Sequence, residues 1–237
     1  MPHFFLKIQY LIKHESSSAL IFKFIQFQLS KPFHNFLRSK NKRVFNKFIT
    51  KKKITHNFFS INCYDWKKNL KNLKISSYLE IGAFEGLSVI FVNKTFQPEL
   101  IHAVDTWKGS EEHGKETVFS KVIQNYHFNT KNISNIKNFK MKSDLFFKKK
   151  NIKYDLIYID GLHTKKQVHR DLKNSLELCH KDTIIICDDF FWKFDKPFTK
   201  NLPIGGIIPL IKKLNLKIHN ISNNQVFLKL KFLYNFF

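Results

Sequence analysis

Two adjacent carboxylates, Asp188 and Asp189, close the apolar run in TIIICDDFFW (183–192) and precede three aromatics. Like charges side by side at the mouth of a buried strand destabilise each other, so they need a cation, an array of donors or open water. A third acid, Asp160, ends the apolar run YDLIYID (154–160), and His163 follows it in D-G-L-H. Earlier in the chain LEIGAFEGLS (79–88) carries Glu80, Gly82 and Gly86, and LIHAVD (100–105) ends on Asp105, 19 residues beyond Gly86. Two chemistries are open to these residues. A glycine turn lets a ligand approach the backbone, with an acid at the end of the next strand able to accept from ribose hydroxyls. Converging carboxylates can hold a hard divalent cation such as magnesium, and a neutral imidazole beside them can take a proton from a hydroxyl whose pKa that cation lowers. Each group also has a plainer reading: an ordinary tight turn, two aspartates capping a turn, a structural histidine.

The elements that must position them follow from periodicity. Strands are expected at 77–81, 100–105, 138–142, 154–160 and 183–187, several of them near-continuous apolar runs of the kind that suit parallel strands covered on both faces. A helix through Leu87, Ile90 and Val92 follows the first. Thr164 and Gln167 form a capping-box pattern ahead of Val168, Leu172, Leu176 and Cys179, so a helix joins the fourth strand to the fifth. Strands joined by such a crossover lie side by side, roughly 5 Å apart, which brings Asp160 and Asp188 to one edge. After a loop around Pro197 to Pro203, a helix carrying Ile207, Ile208, Ile211 and Leu214 leads to KIHNIS and QVFLKL, which Asn223 and Asn224 separate so closely that they must pair antiparallel. The expected fold is a doubly wound, mostly parallel α/β sheet with an antiparallel end.

The turn spacing narrows the ligand. G-x-x-x-G is not the G-x-G-x-x-G of dinucleotide sites, and Glu80 and Glu85 would repel a pyrophosphate while tolerating a ligand that carries an amino group and a sulfonium. Four blocks in order, YLEIGAFEGLS, AVDTWKGSEEH, YDLIYIDGLHTKKQVHRDL and IIICDDFFW, then make residues 56 to 230 resemble class I S-adenosylmethionine-dependent methyltransferases, in the branch of small-molecule and sugar O-methyltransferases that includes the macrocin-type enzymes. The resemblance implies a seven-stranded Rossmann-like sheet. It implies that Glu80, Gly82, Gly86 and Ser88 surround the methionine part of the cofactor, that Asp105 with Thr106 and Trp107 binds the ribose, and that Ser143 contacts the adenine side. It further implies a metal held by Asp160, Asp188 and Asp189, with His163 as base; His113 becomes a substrate or lid residue. Two departures stand out: the Gly-Gly turn before the fifth strand is here His180, Lys181 and Asp182, and the acid usual after the aspartate-glycine pair is Leu162.

Composition bounds the rest. The 237 residues, 43% of them hydrophobic, suffice for a large core, and residues 1–60 read as a basic, aromatic-rich extension of short amphipathic helices before a methyltransferase domain at 61–237. That extension is expected either to cap the domain or to make weak peripheral membrane contact. Cys63, Cys179 and Cys187 form no framework, and Lys7, Lys13 and Lys23 break the N-terminal hydrophobics, so neither a signal nor a spanning helix is expected and a cytoplasmic setting is. A net charge of +23 accompanies a general excess of Lys, Asn, Ile and Phe, so nucleic acid is not the expected partner. The expected function is transfer of a methyl group from S-adenosylmethionine to a hydroxyl of a sugar or small polar metabolite, with a magnesium-like ion. The alternatives are an RNA methyltransferase and an inactive binding protein on the same scaffold. The acceptor pocket is expected from the N-terminal segment and the loops at 107–116 and 191–204.

Overall fold

The computed structural model describes residues 2–13, 17–109, 117–149, 151–192 and 201–231. They fall into two compact units, Lys31–Lys149 and the pair of segments Met1–Ser30 and Lys150–Phe237.

In the first unit β1 (Ser77–Ile81), β2 (Leu100–Asp105) and β3 (Ile136–Lys140) run parallel in the order β3-β2-β1. Ile81 pairs with Val104 and Val104 with Phe139, so the three strands end together. The third strand begins and ends two residues earlier than its sequence pattern suggests: its pairing starts with Ile101 opposite Ile136, and beyond its end the Met141 amide donates to the carbonyl of Asp105 at 3.1 Å. Around the strands lie α3 (Cys63–Leu70), α4 (Leu87–Phe96), α5 (Phe119–Thr130) and α6 (Ser143–Lys149). Residues 87–92 of α4 are buried without interruption, which is why its apolar pattern runs all round rather than along one stripe.

In the second unit β4 (Tyr154–Ile159), α7 (Lys165–Leu176) and β5 (Cys179–Cys187) form the expected parallel crossover. The Thr164 hydroxyl caps α7 by accepting from the Gln167 amide at 3.3 Å. β5 is longer than TIIIC. Its pairing passes from Tyr154 with Cys179 to Leu156 with Ile184, so the extra residues bulge out where a glycine turn was expected. The His180 amide donates to Thr183 Oγ1 at 2.8 Å and its ring meets Asp155 at 2.9 Å, which closes the bulge without glycine. α8 (Pro203–Lys213) then packs against α7, and a Cβ on Gly206 would stand 2.3 Å from the Lys165 carbonyl, so only glycine permits that approach. β6 (Lys217–Ser222) and β7 (Gln225–Lys229) pair antiparallel, and β7 also pairs antiparallel with β5, giving the order β4-β5-β7-β6. Seven mostly parallel strands alternating with helices and ending antiparallel make the fold Rossmann-like, as expected.

The N-terminal part is helical, but not as short pieces: α1 (Pro2–Lys13) is followed by the 31-residue α2 (Ser18–Phe48), which accommodates Pro32 within it. In the Lys31–Lys149 unit, Phe45 of α2 meets Phe59 and Phe91 edge-on at ring separations of 6.2 and 5.6 Å. Two turns earlier Arg38 donates twice to Asp65 of α3, at 2.9 and 3.1 Å, and both side chains are buried. Removing one member of such a pair leaves an uncompensated buried charge. Arg38→Ala is therefore expected to destabilise the protein by about 3–5 kcal/mol, whereas the double change Arg38→Met with Asp65→Leu recovers most of the loss. Urea denaturation midpoints of the two variants against the parent chain measure this.

Candidate active site

The turn after β1 is built by strand register and three left-handed residues. Gly82 continues the ladder by donating to the Val104 carbonyl at 2.8 Å, and the chain then reverses through Gly82 (φ 94), Phe84 (φ 44) and Gly86 (φ 82), the residue that opens α4. A Cβ on Gly86 would press on Thr130 and Tyr126 at 3.1 Å, in addition to the backbone strain. Asp105, ending β2, ties this turn to the next one. Its Oδ2 accepts from the Phe84 amide at 2.9 Å and its Oδ1 from the Trp107 amide at 2.7 Å, while Trp107 Nε1 donates to the Phe84 carbonyl at 2.9 Å. Phe84 and Trp107 both have positive φ, and the shared carboxylate holds them there. Thr106 accepts from the Lys108 amide at 3.3 Å, and Ser143 is the first residue of α6, beyond the end of β3.

The two glutamates near the turn meet protein donors. Glu80 is fully buried and accepts from Tyr78 at 2.9 Å and, in a very short bond, from Ser88. Glu85 accepts from the Thr55 amide and hydroxyl at 2.8 and 2.7 Å and from Asn125 of α5 at 2.7 Å, so it fastens residues 55–56 to the turn. Beside that junction Lys53, Thr55, Lys121 and Gln124 help line an open depression of about 480 Å³. Burial pushes the Tyr126 hydroxyl well above the usual phenol range, and the charges of Glu80 and Asp105 push it further.

The second cluster stands in the other unit, at the ends of β4 and β5. Because Ile159 pairs with Cys187, Asp160 and Asp188 leave the sheet side by side, and the Asp188 amide donates to the Ile159 carbonyl at 2.9 Å. The hydroxyl of Tyr158 reaches Asp160 Oδ2 at 3.0 Å and makes a very short contact with Asp188 Oδ2. Gln225 of β7 donates to that same Asp188 oxygen at 2.8 Å, and the Asp189 amide donates to the other at 2.7 Å. Burial, then the charges of Asp160 and Asp189, push the Asp188 carboxyl up to about 7 against the bonds from Tyr158 and Gln225. One tyrosine proton cannot serve two carboxylates, and a proton held on Asp188 resolves the conflict.

Asp189 turns outward with φ 51. His163 lies between acids, Nε2 at 3.2 Å from Asp160 Oδ1 and Nδ1 at 3.4 Å from Asp189 Oδ2, with the Trp192 ring 5.4 Å away. Ligand atoms of Asp160, His163 and Asp189 all fall within 4.8 Å of one another. Two carboxylates and an imidazole, all partly exposed, fit a divalent ion of hard to borderline character. Asp188 stands behind this group with both oxygens in protein hydrogen bonds. Tyr158 and Gln225 were not singled out from the sequence. Tyr158 was readable, since residue i−2 of a strand shares a face with Asp160; Gln225 comes from a distant strand and leaves no local signal. His113 and most of the loops at 107–116 and 191–204 lie outside the described residues.

Residues 79–190 match the family model described as a methyltransferase domain. No curated protein sequence matches the chain. The fold is shared with an O-methyltransferase from Bacillus cereus solved in complex with S-adenosylhomocysteine, at 13% identity and a TM-score of 0.54, over 82% of this chain and 90% of that one. It is shared with TomG of Streptomyces achromogenes, involved in tomaymycin synthesis and solved with S-adenosylmethionine, at 11% identity and a TM-score of 0.55, over 86% and 96%. MycE of the mycinamycin pathway, solved with Mg and S-adenosylhomocysteine, gives 14% and 0.52, over 80% of this chain and 54% of MycE. At such identities the likeness is one of fold. The chain thus carries a stretch that matches a methyltransferase domain, within a fold it shares with methyltransferases solved with S-adenosylmethionine or S-adenosylhomocysteine.

The Asp188 shift has a sign that can be tested. Between the ordinary carboxyl pKa of 3.8 and about 7 the folded chain holds a proton that the unfolded chain has lost, so this group's contribution to stability falls as pH rises through that window. Asp188→Asn removes the dependence. With chelator present, the melting temperature of this variant relative to the parent is expected to move in the variant's favour from pH 5 to pH 8, by several degrees. Differential scanning calorimetry at the two pH values checks it.

Proposed function

We propose that this protein transfers the methyl group of S-adenosylmethionine to a hydroxyl of a sugar or other small polar metabolite, as macrocin-type O-methyltransferases do, with a divalent cation bound at Asp160 and Asp189. The observation that carries the proposal is the Asp160–His163–Asp189 group at the strand ends of a chain whose residues 79–190 match a methyltransferase domain. The glycine turn takes the cofactor. Asp105 is oriented by two backbone amides before any ligand arrives, and its oxygens can each accept again, from the ribose hydroxyls. Glu80 and Ser88 support the methionine side, Gly82 and Gly86 give the ligand access to the backbone, and Thr106, Trp107 and Ser143 complete the nucleoside end.

At the other cluster, Asp160 and Asp189 would hold the ion, with Asp188 behind them in its hydrogen bonds with Tyr158 and Gln225. A divalent ion there supplies the positive charge that lowers the pKa of an acceptor hydroxyl. His163 takes the hydroxyl proton as the oxygen attacks the methyl carbon in line and the sulfonium becomes a thioether. Its two flanking carboxylates stabilise the imidazolium that results. A second reading, in which His163 is itself a ligand, is favoured by its place within the same 4.8 Å group.

Calorimetry and turnover separate these roles. Asp105→Ala is expected to weaken S-adenosylhomocysteine binding roughly tenfold or more, the magnitude of a charged hydrogen bond. Asp160→Ala should leave that binding intact and abolish turnover that responds to added Mg²⁺ or Mn²⁺, read as methyl transfer to a panel of hydroxylated acceptors. His163→Ala should lower turnover about 10²–10⁴-fold at unchanged metal affinity, whereas lost metal affinity assigns it as a ligand. A parent protein that does not bind S-adenosylhomocysteine overturns the proposal.

A further inference from the structure

The part of α2 within the Lys31–Lys149 unit turns large apolar side chains toward solvent. Phe33 is 82% exposed, Phe36 68% and Val44 56%, and Leu37 is exposed with them. Positions 33, 36, 37, 40, 44 and 47 recur at i, i+3, i+4, i+7, i+11 and i+14, a single face of the helix, and Lys40 and Lys47 fall in the same series with Arg43 at its edge. No acidic residue occurs anywhere in α2. The opposite side is fixed: Arg38 is paired with Asp65 in the interior, and Phe45 packs against Phe59 and Phe91. The helix therefore cannot roll to hide its phenylalanines.

We infer that this face of α2 docks onto an anionic lipid surface, with the helix lying in the plane of the interface. Phe33, Phe36, Leu37 and Val44 enter the boundary between headgroups and acyl chains, while Lys40, Arg43 and Lys47 extend their charged ends to lipid phosphates. Charge decides the occupant. A second copy packed about a twofold axis would set these three cations against their own counterparts with no acid on the helix to offset them. A nucleic-acid backbone would satisfy the cations but leave the phenylalanines against a polar ligand. None of the described helices is long and apolar enough to cross a membrane, so the contact is peripheral. This inference does not depend on the methyl-transfer reaction.

Sedimentation of the full chain with vesicles tests it, comparing phosphatidylcholine alone with phosphatidylcholine containing a minority of phosphatidylglycerol. The protein should pellet with the anionic vesicles and stay in solution with the neutral ones. Phe33→Ser with Phe36→Ser, and separately Lys40→Glu with Arg43→Glu and Lys47→Glu, should each lower the partition coefficient roughly tenfold or more. Both sets are expected to leave the melting temperature unchanged, since the residues point outward. Failure of the parent to bind anionic vesicles, or undiminished binding by either variant, overturns the inference. So does light scattering that finds a dimer which Phe33→Ser with Phe36→Ser converts to monomer, because the face would then belong to a second copy.

Discussion

Parallel strands held in register end together, and the chemistry of this protein depends on that constraint. Ile159 opposite Cys187 fixes where β4 and β5 stop, so the next residue of each, Asp160 and Asp188, emerges at the same height and at strand spacing. The same rule operates in the other unit, where Ile81 opposite Val104 makes Gly82 the first residue past the sheet while Asp105 completes β2 beside it. No local preference of Asp160 or Asp105 produces these placements. A one-residue slip in either pair would send the acids to the opposite face of the sheet.

Bringing acids to strand ends creates a cost, and the structure meets it differently at each site. Glu80, Glu85 and Asp105 are matched with donors fixed by the fold, among them two backbone amides for Asp105 and two for Glu85. These carboxylates organise the chain around them. Asp105 stitches two turns that hold non-glycine residues at positive φ, and Glu85 fastens an N-terminal strap. The cluster at β4 and β5 instead crowds three carboxylates onto one edge. Asp188 meets Tyr158 and Gln225, yet burial, and then the neighbouring charges, still raise its pKa. Asp160 and Asp189 share the His163 imidazole between them.

Much of this was legible in the sequence. The strands at 77–81 and 100–105, the crossover from Asp160 to Asp188 and the Thr164 cap followed from period and spacing alone, because each is decided by residues close in the chain. α5 gave no such signal, since its buried residues include Asn125 and Asn129, whose partners are Glu85 and the backbone at Lys53. The bulge in β5 was hidden for a related reason. Glycine was expected where His180 and Thr183 supply the turn through bonds to Asp155 and to one another. Among the acids, the sequence brought Asp160, Asp188 and Asp189 together but could not rank them. Their ranking depends on Gln225, which arrives from β7 by an antiparallel pairing 37 residues away.

α2 carries the same lesson in a sharper form. Its composition, aromatic and basic throughout, does not reveal which side faces in, and the usual expectation would bury its phenylalanines and expose its arginine. The structure does the reverse at two neighbouring turns: Arg38 is inside and Phe33 and Phe36 are outside. Both choices oppose solvation, since a buried guanidinium loses water and an exposed ring orders it. They persist because Phe45 and Ile49 already claim the inward side, and a helix has only one phase. Asp65 then makes the buried arginine tolerable, so the ion pair secures an orientation that Phe45 and Ile49 have set, and with it the outward aromatic face.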